Sequence, residues 1–273
     1  MFKLTEYCNF DEQWAKFFAK HNFYVGFSVD GPKDIHDLYR KNKQGMSTFS
    51  QTVSGIERAL AHGILTNAIG VITNESSRHA DDVYFFFKKL GVRNIDLIPC
   101  FDYNSELTLR PENYTRFMMR IIELWKNDNF EPLKIRFLND IRKRLQATNS
   151  SGPQTVGCEL AGQCGQNWSV GGDGLIFPCE CLTPVPRFQM NKISETKFSD
   201  LINSAQMNEV KKSTNEIDNR CIQCDVFSIC RGGCLNRRLS EHALNGKLDL
   251  YCESRRSIIL KMKSSLPAKD ANP

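Results

Sequence analysis

Apolar positions along the first hundred residues switch back and forth between helical and strand spacing. Phe10, Trp14, Phe17 and Phe18 recur at helical intervals, and residues 23–29, Phe-Tyr-Val-Gly-Phe-Ser-Val, follow as a buried strand. A second helix begins near Ser47, a residue able to cap it, sets Phe49, Val53, Ile56, Ala59 and Leu60 on one side, and ends at His62-Gly63. Residues 64–72 read as the next strand, 81–90 as a helix closed by Gly91, and 92–100 as a third strand. Repeated strand–helix units of this length predict an α/β fold with parallel strands, either an open doubly wound sheet or a barrel. In both, sites form at the carboxyl ends of the strands. Three segments stand there: Ser28-Val29-Asp30-Gly31-Pro32, Thr73-Asn74-Glu75 and Pro99-Cys100-Phe101-Asp102. Turn chemistry alone accounts for their composition.

Residues 111–146 read as two helical pieces. Pro111 takes a first-turn position, Phe117, Ile121, Leu124 and Trp125 share a face, and Met118 and Met119 pack. Lys134-Ile135-Arg136 and Arg142-Lys143-Arg144 read as the solvated side of a helix. The Thr-Asn-Ser-Ser-Gly-Pro stretch at 148–153 is a linker. It divides the chain near residue 150 into an α/β part, 1–150, and a cysteine-rich part, 151–265, before a disordered tail at 266–273. Within the second part, Trp168-Ser169-Val170 and Leu175-Ile176-Phe177 flank Gly171-Gly172-Asp173-Gly174 as a hairpin that delivers Cys179.

Composition adds bounds rather than direction. The 273 residues are 41% hydrophobic and 25% charged, which suits a globular chain. No run of eighteen apolar residues is present, so no membrane span is expected. The net charge of +5 is spread over scattered basic residues without interleaved aromatics, so no nucleic-acid surface is expected.

The cysteines change the picture. Eight of the eleven form two series, Cys158-x5-Cys164-x14-Cys179 and Cys221-x2-Cys224-x5-Cys230-x3-Cys234-x17-Cys252. Eight thiolates suffice for two four-cysteine centres, and thiolate ligands select iron–sulfur clusters or zinc. A disulfide framework is the competing reading. Against it, the start Met1-Phe2-Lys3-Leu4-Thr5-Glu6 has no secretory pattern, which points to a reducing cytoplasmic setting.

The segment Gly26-Phe27-Ser28-Val29-Asp30-Gly31-Pro32 with Ile35-His36-Asp37 and Arg40, followed by this cysteine series, resembles radical S-adenosylmethionine enzymes carrying a SPASM domain, and most closely the anaerobic sulfatase-maturating enzymes. The resemblance runs from Phe10 to about Cys252. It implies the C-terminal portion of a partial (β/α)6 barrel followed by a SPASM domain with two auxiliary [4Fe-4S] clusters. By that resemblance Cys158, Cys164, Cys179 and Cys234 hold the first cluster, and Cys221, Cys224, Cys230 and Cys252 the second. The placing of Cys234 in the first set comes from the family, not from spacing. Ser28, Arg40 and Phe101 match contacts to S-adenosylmethionine. The implied chemistry is reductive cleavage of that cofactor and oxidation of a substrate cysteine or serine to Cα-formylglycine. A sulfatase peptide is the implied substrate, and an electron donor protein such as a flavodoxin or ferredoxin the implied partner.

The chain departs from the family twice. No Cys-x3-Cys-x2-Cys loop for the initiating cluster occurs, Cys8 standing alone, and Thr5-Glu6-Tyr7-Cys8 lies where the family has Thr-Asn-Gly. The expectation is an N-terminally truncated form, a fragment or degenerate paralogue, inactive alone, with a third [4Fe-4S] cluster only in a full-length form. Secondly, Glu180 occupies the family's Asp position as base, and its extra methylene moves the carboxylate by about 1 Å, a displacement that can cost about 100-fold in rate. An ordinary exposed acid beside a cluster ligand is the other reading of Glu180. Cys181 reads as a buried small hydrophobe or a redox-active thiol. Cys100 reads as structural, His36 as ordering its loop, and His21, His62, His79 and His242 as needing no metal. Two other functions fit the same residues: maturation of a different peptide, and a structural zinc-binding interaction module, which metal identity would separate from a cluster protein.

Overall fold

The computed structural model describes residues 2–5, 10–102, 106–147, 156–241, 243 and 247–265. The linker at 148–153, the tail at 266–273, Cys8 and His242 lie outside the described residues. Among the described residues, one compact unit runs to Asn139 and takes up the chain again from Lys261, and a second spans Asp140–Leu260.

The first unit is built on a five-stranded parallel sheet in sequential order, β1 (Phe2–Thr5), β2 (Tyr24–Ser28), β3 (Leu65–Ile72), β4 (Asn94–Pro99) and β5 (Lys134–Ile135). Between strands run α1 (Glu12–Lys20), α2 (Lys33–Tyr39), α3 (Phe49–Ala61), α4 (Ala80–Leu90) and α5 (Pro111–Asn127), and α6 (Arg136–Gln146) follows β5. A helical return after each strand is what lets the next strand run parallel. All but the first residue of β2 are buried, as expected of a strand covered on both faces, whereas β3 alternates, with Thr66, Ala68, Gly70 and Ile72 inside. Among the helices, Ile56 and Ala59 of α3, Val83 and Phe87 of α4, and Phe117, Met118 and Ile121 of α5 are each 1% exposed or less, and α3 packs on β2 and β3. Phe10 locks α1 onto the sheet, stacked on Phe18 at 5.8 Å and edge-on to Phe27 at 5.5 Å.

Several local readings are corrected. In α1, Ala15 and Phe18 are buried, but Trp14 and Phe17 are 43% and 45% exposed. They meet edge-to-face, with ring centroids 6.0 Å apart, and Phe17 lies tilted against His21 at 4.6 Å. The N-cap of α3 is Thr48, one residue later than Ser47, although the Ser47 hydroxyl still accepts from the Phe49 amide at 3.3 Å. The buried stripe of α3 is Thr52, Gly55, Ile56 and Ala59, with Val53 and Leu60 half-buried. Lys134-Ile135 is a strand rather than a helix face: Ile135 is fully buried and pairs with Ile95, while Arg136 bonds to Asp96. The β1 strand was also not legible.

In the second unit regular structure is sparse. It contains α7 (Cys158–Ala161), the antiparallel hairpin of β6 (Ser169–Val170) and β7 (Ile176–Phe177), then α8 (Phe198–Leu201), α9 (Ala205–Asn215), α10 (Asn219–Ile222), α11 (Phe227–Cys230), α12 (Leu235–Leu239) and the start of α13 (Cys252–Ser265). Leu160, Leu182, Phe188, Val210, Leu235 and Tyr251 are among its buried apolar residues. Arg144 is not wholly solvated, since it donates to the Leu160 carbonyl at 2.7 Å. Among the described residues no helix is long and apolar enough to cross a membrane.

Candidate metal centres and strand-end site

In the first unit the β2 exit is more than a turn. Asp30 is 6% exposed and accepts a two-pronged bond from Arg40, Nε to Oδ2 at 2.7 Å and Nη2 to Oδ1 at 3.0 Å. Its Oδ1 also accepts from the Val71 amide at 2.9 Å, tying the end of β2 to β3. Gly31 makes the exit possible: its φ is +145°, and an added Cβ would lie 3.2 Å from Val83 Cγ2. Behind Arg40, His36 is completely buried, with Nε2 3.1 Å from the Thr48 hydroxyl, which itself donates to the Arg40 carbonyl at 2.9 Å. That arrangement makes Nε2 the protonated nitrogen. Burial holds the imidazole pKa below its ordinary value, with the Arg40 charge acting in the same direction. Ser28, 8% exposed, and half-buried Phe101 lie at the same carboxyl end of the sheet, where the Cys100 amide bonds to the Ile72 carbonyl at 2.8 Å. Asn74 is structural there, accepting from the Arg110 amide and from Asn113.

The second unit brings its thiols together in two groups. Cys158 opens α7, Cys164 follows it, Cys179 leaves the hairpin and Cys234 precedes α12. Cys158 lies within electrostatic reach of Cys234 and Cys164, and Cys179 within reach of Cys234 and Cys158. Burial and then Cys234 push the Cys158 thiol up to about 11. Cys221, Cys224, Cys230 and Cys252 form the other group and together line one cavity of about 650 Å3, rimmed by Arg220, Asp225, Glu253 and Arg256. Burial, then Cys221 and Cys230, push the Cys252 thiol up to about 12. Thus Cys234 joins the first group although it lies in sequence between Cys230 and Cys252.

These thiols are free. Among the described residues no three His, Cys, Asp or Glu side chains form a group that could hold a single metal ion. The donor chemistry fits a larger cationic core. Crowded thiols oppose one another's ionisation, and a bound metal reverses that penalty. Backbone amides already point at four of the sulfurs: Leu235 to Cys164, Cys181 to Cys179, Gly232 to Cys230 and Arg237 to Cys234. Hydrogen bonds to sulfur are among the levers that tune iron–sulfur centres.

Glu180 is exposed and begins a short turn directly after Cys179. The reading of Cys181 as a buried hydrophobe is corrected. Leu182, 1% exposed, takes the inward position of that turn, and Cys181 is exposed with its thiol hydrogen-bonded to Cys179. It is a fifth sulfur beside the first group. Sequence reasoning also missed Asp249, Arg237 and Arg255, buried beside the thiols. Burial alone would push the Asp249 carboxyl up, but both guanidinium groups and the amides of Cys234 and Tyr251 hold it below the usual carboxylate range.

A parallel strand–helix sheet followed by a thiol-rich unit places the chain in the radical S-adenosylmethionine class. No family model matches the chain. It is 31% identical over 265 residues, 94% of its length, to the cysteine-type anaerobic sulfatase-maturating enzyme of Clostridium novyi (strain NT), covering 69% of that protein. It is 30% identical over 254 residues, 89% of its length, to the enzyme of the same type from Clostridium perfringens (strain 13 / Type A), covering 66% of it. The solved structure of native anSMEcpe with bound AdoMet and Cp18Cys peptide superposes with a TM-score of 0.84 at 27% identity, over 97% of this chain and 76% of that one. The chain belongs to the anaerobic sulfatase-maturating enzyme family, and spans about two thirds of the length of these curated relatives.

Proposed function

We propose that the chain forms the later barrel strands and the SPASM domain of a radical S-adenosylmethionine oxidoreductase that converts a cysteine or serine of a sulfatase to Cα-formylglycine. The relatives named above are cysteine-type, which favours cysteine. The observation that carries the reading is the grouping of the thiols, with Cys234 beside Cys158, Cys164 and Cys179. In this reading those four hold one [4Fe-4S] cluster, and Cys221, Cys224, Cys230 and Cys252 hold the other. These clusters supply an acceptor for the electron lost by the oxidised substrate. Ser28, Arg40 and Phe101 bind S-adenosylmethionine, with Arg40 held in place by Asp30. Glu180 takes the proton of the substrate thiol or hydroxyl, a role its exposure beside Cys179 suits. A flavodoxin or ferredoxin supplies electrons in a reducing cytoplasm.

Anaerobic reconstitution followed by iron, sulfide and zinc analysis tests the reading. About eight irons per chain with matching sulfide supports it, and about two zincs without sulfide overturns it. The 273 residues contain no Cys-x3-Cys-x2-Cys loop. Given S-adenosylmethionine and dithionite, this chain alone is therefore expected to form no catalytic 5′-deoxyadenosine, and steady turnover would refute that statement.

A further inference from the structure

Four ionised side chains are packed together within the thiol-rich unit. Arg237, Asp249 and Arg255 are 8%, 2% and 1% exposed. Arg237 Nε lies 3.0 Å from both carboxylate oxygens of Asp249, and Arg255 Nε lies 3.5 Å from Asp249 Oδ2. Both guanidinium groups also reach Glu159 Oε2, Arg255 Nη2 at 2.8 Å and Arg237 Nη2 at 3.3 Å. The set is bonded directly to segments that carry thiols. Asp249 Oδ2 accepts from the Cys234 amide and Oδ1 from the Tyr251 amide, each at 2.8 Å, while its main-chain carbonyl accepts from the Cys252 amide at 2.8 Å. Glu159 directly follows Cys158. The approach is so close that a Cβ on Gly233, whose φ is +74°, would lie 2.3 Å from Asp249 Oδ2.

Stability does not explain the arrangement, because burying ion pairs costs desolvation that well-packed apolar residues avoid. The charges do have targets. Arg237 stands one helical turn after Cys234 of the first group on α12, and Arg255 one turn after Cys252 of the second group on α13. We propose that the Arg237–Asp249–Arg255–Glu159 set is a shared electrostatic control of the two thiol-held centres, with Asp249 the positioning residue, Arg237 favouring reduction of the first centre and Arg255 that of the second. This rests on the reading that both groups hold iron–sulfur clusters. Adding an electron to a centre adds negative charge, and a fixed cation in a low-dielectric interior stabilises the reduced form.

The test is an EPR-monitored redox titration with dithionite of the reconstituted full chain, the second centre being assigned by its loss in Cys224→Ala. Arg255→Met is expected to lower the midpoint potential of the second centre more than that of the first, and Arg237→Met to do the reverse. Asp249→Asn is expected to raise both. The charge-keeping variants Arg255→Lys and Arg237→Lys disturb the same packing and are expected to stay near wild type. Equal shifts in the Met and Lys variants, unmoved potentials, or loss of a centre in Met and Lys variants alike would overturn the electrostatic role while leaving the functional reading intact. A wild-type chain that takes up no iron and sulfide would remove that reading as well.

Discussion

Arg40 reaches Asp30 through two nitrogens, and each side chain is far more covered than a surface ion pair. Removing one partner strands the other charge, so Arg40→Met is expected to lower unfolding free energy by about 3 kcal/mol, read by urea denaturation. The double variant Asp30→Asn/Arg40→Met should recover part of that loss. His36 gives a pH signature. Its folded-state pKa lies below the unfolded value of about 6.5, so as pH falls the unfolded chain takes up protons first. The contribution of His36 is complete above that pH and is lost as pH falls from about 6.5 through the folded pKa. Thermal midpoints should therefore decline over that window, and His36→Gln should flatten the decline. None of this was readable from Ser-Val-Asp-Gly-Pro alone, because an aspartate leaving a strand has the same appearance whether it faces solvent or clamps an arginine ten residues on.

At the scale of elements, what was legible depended on length and period. The β2, β3 and β4 strands carry enough apolar positions to be recognised, and α4 ends at its glycine as read. The two-residue β5 does not, since Ile135 stands between Lys134 and Arg136 and its neighbours imitate a polar helix face. Its burial is nonetheless complete, and Ile135→Ala is expected to cost about 3 kcal/mol, measured by denaturant unfolding. In α1 the aromatic count misleads in the opposite direction. Nine residues present only a narrow inward stripe, so Phe18 goes in while Trp14 and Phe17 stay at the surface.

For the whole molecule, the thiol grouping sets the sharpest expectation. Under the proposed assignment, Cys234→Ser should abolish loading of the first centre and leave about four irons, whereas Cys181→Ala should leave about eight, because that assignment gives the first centre four sulfurs without Cys181. Colorimetric iron and sulfide assays on reconstituted chain check both. The cysteine count was plain in the sequence, but the partnership of Cys234 with Cys158 was available only through the family. The buried charges were not legible at all, since paired Asp and Arg look the same in sequence as a solvated surface. That interleaving also bears on descent. Had the unit arisen by doubling a self-sufficient four-cysteine module, cutting between the copies would free two working halves. Here a cut between Cys179 and Cys221 leaves Cys221, Cys224, Cys230 and Cys252 together, but parts Cys158, Cys164 and Cys179 from Cys234 and from the carboxylate that bonds its amide. The dependence is one-sided: the first group of thiols is inherited only with the segment that carries the second, whereas the second keeps all four of its thiols without the first.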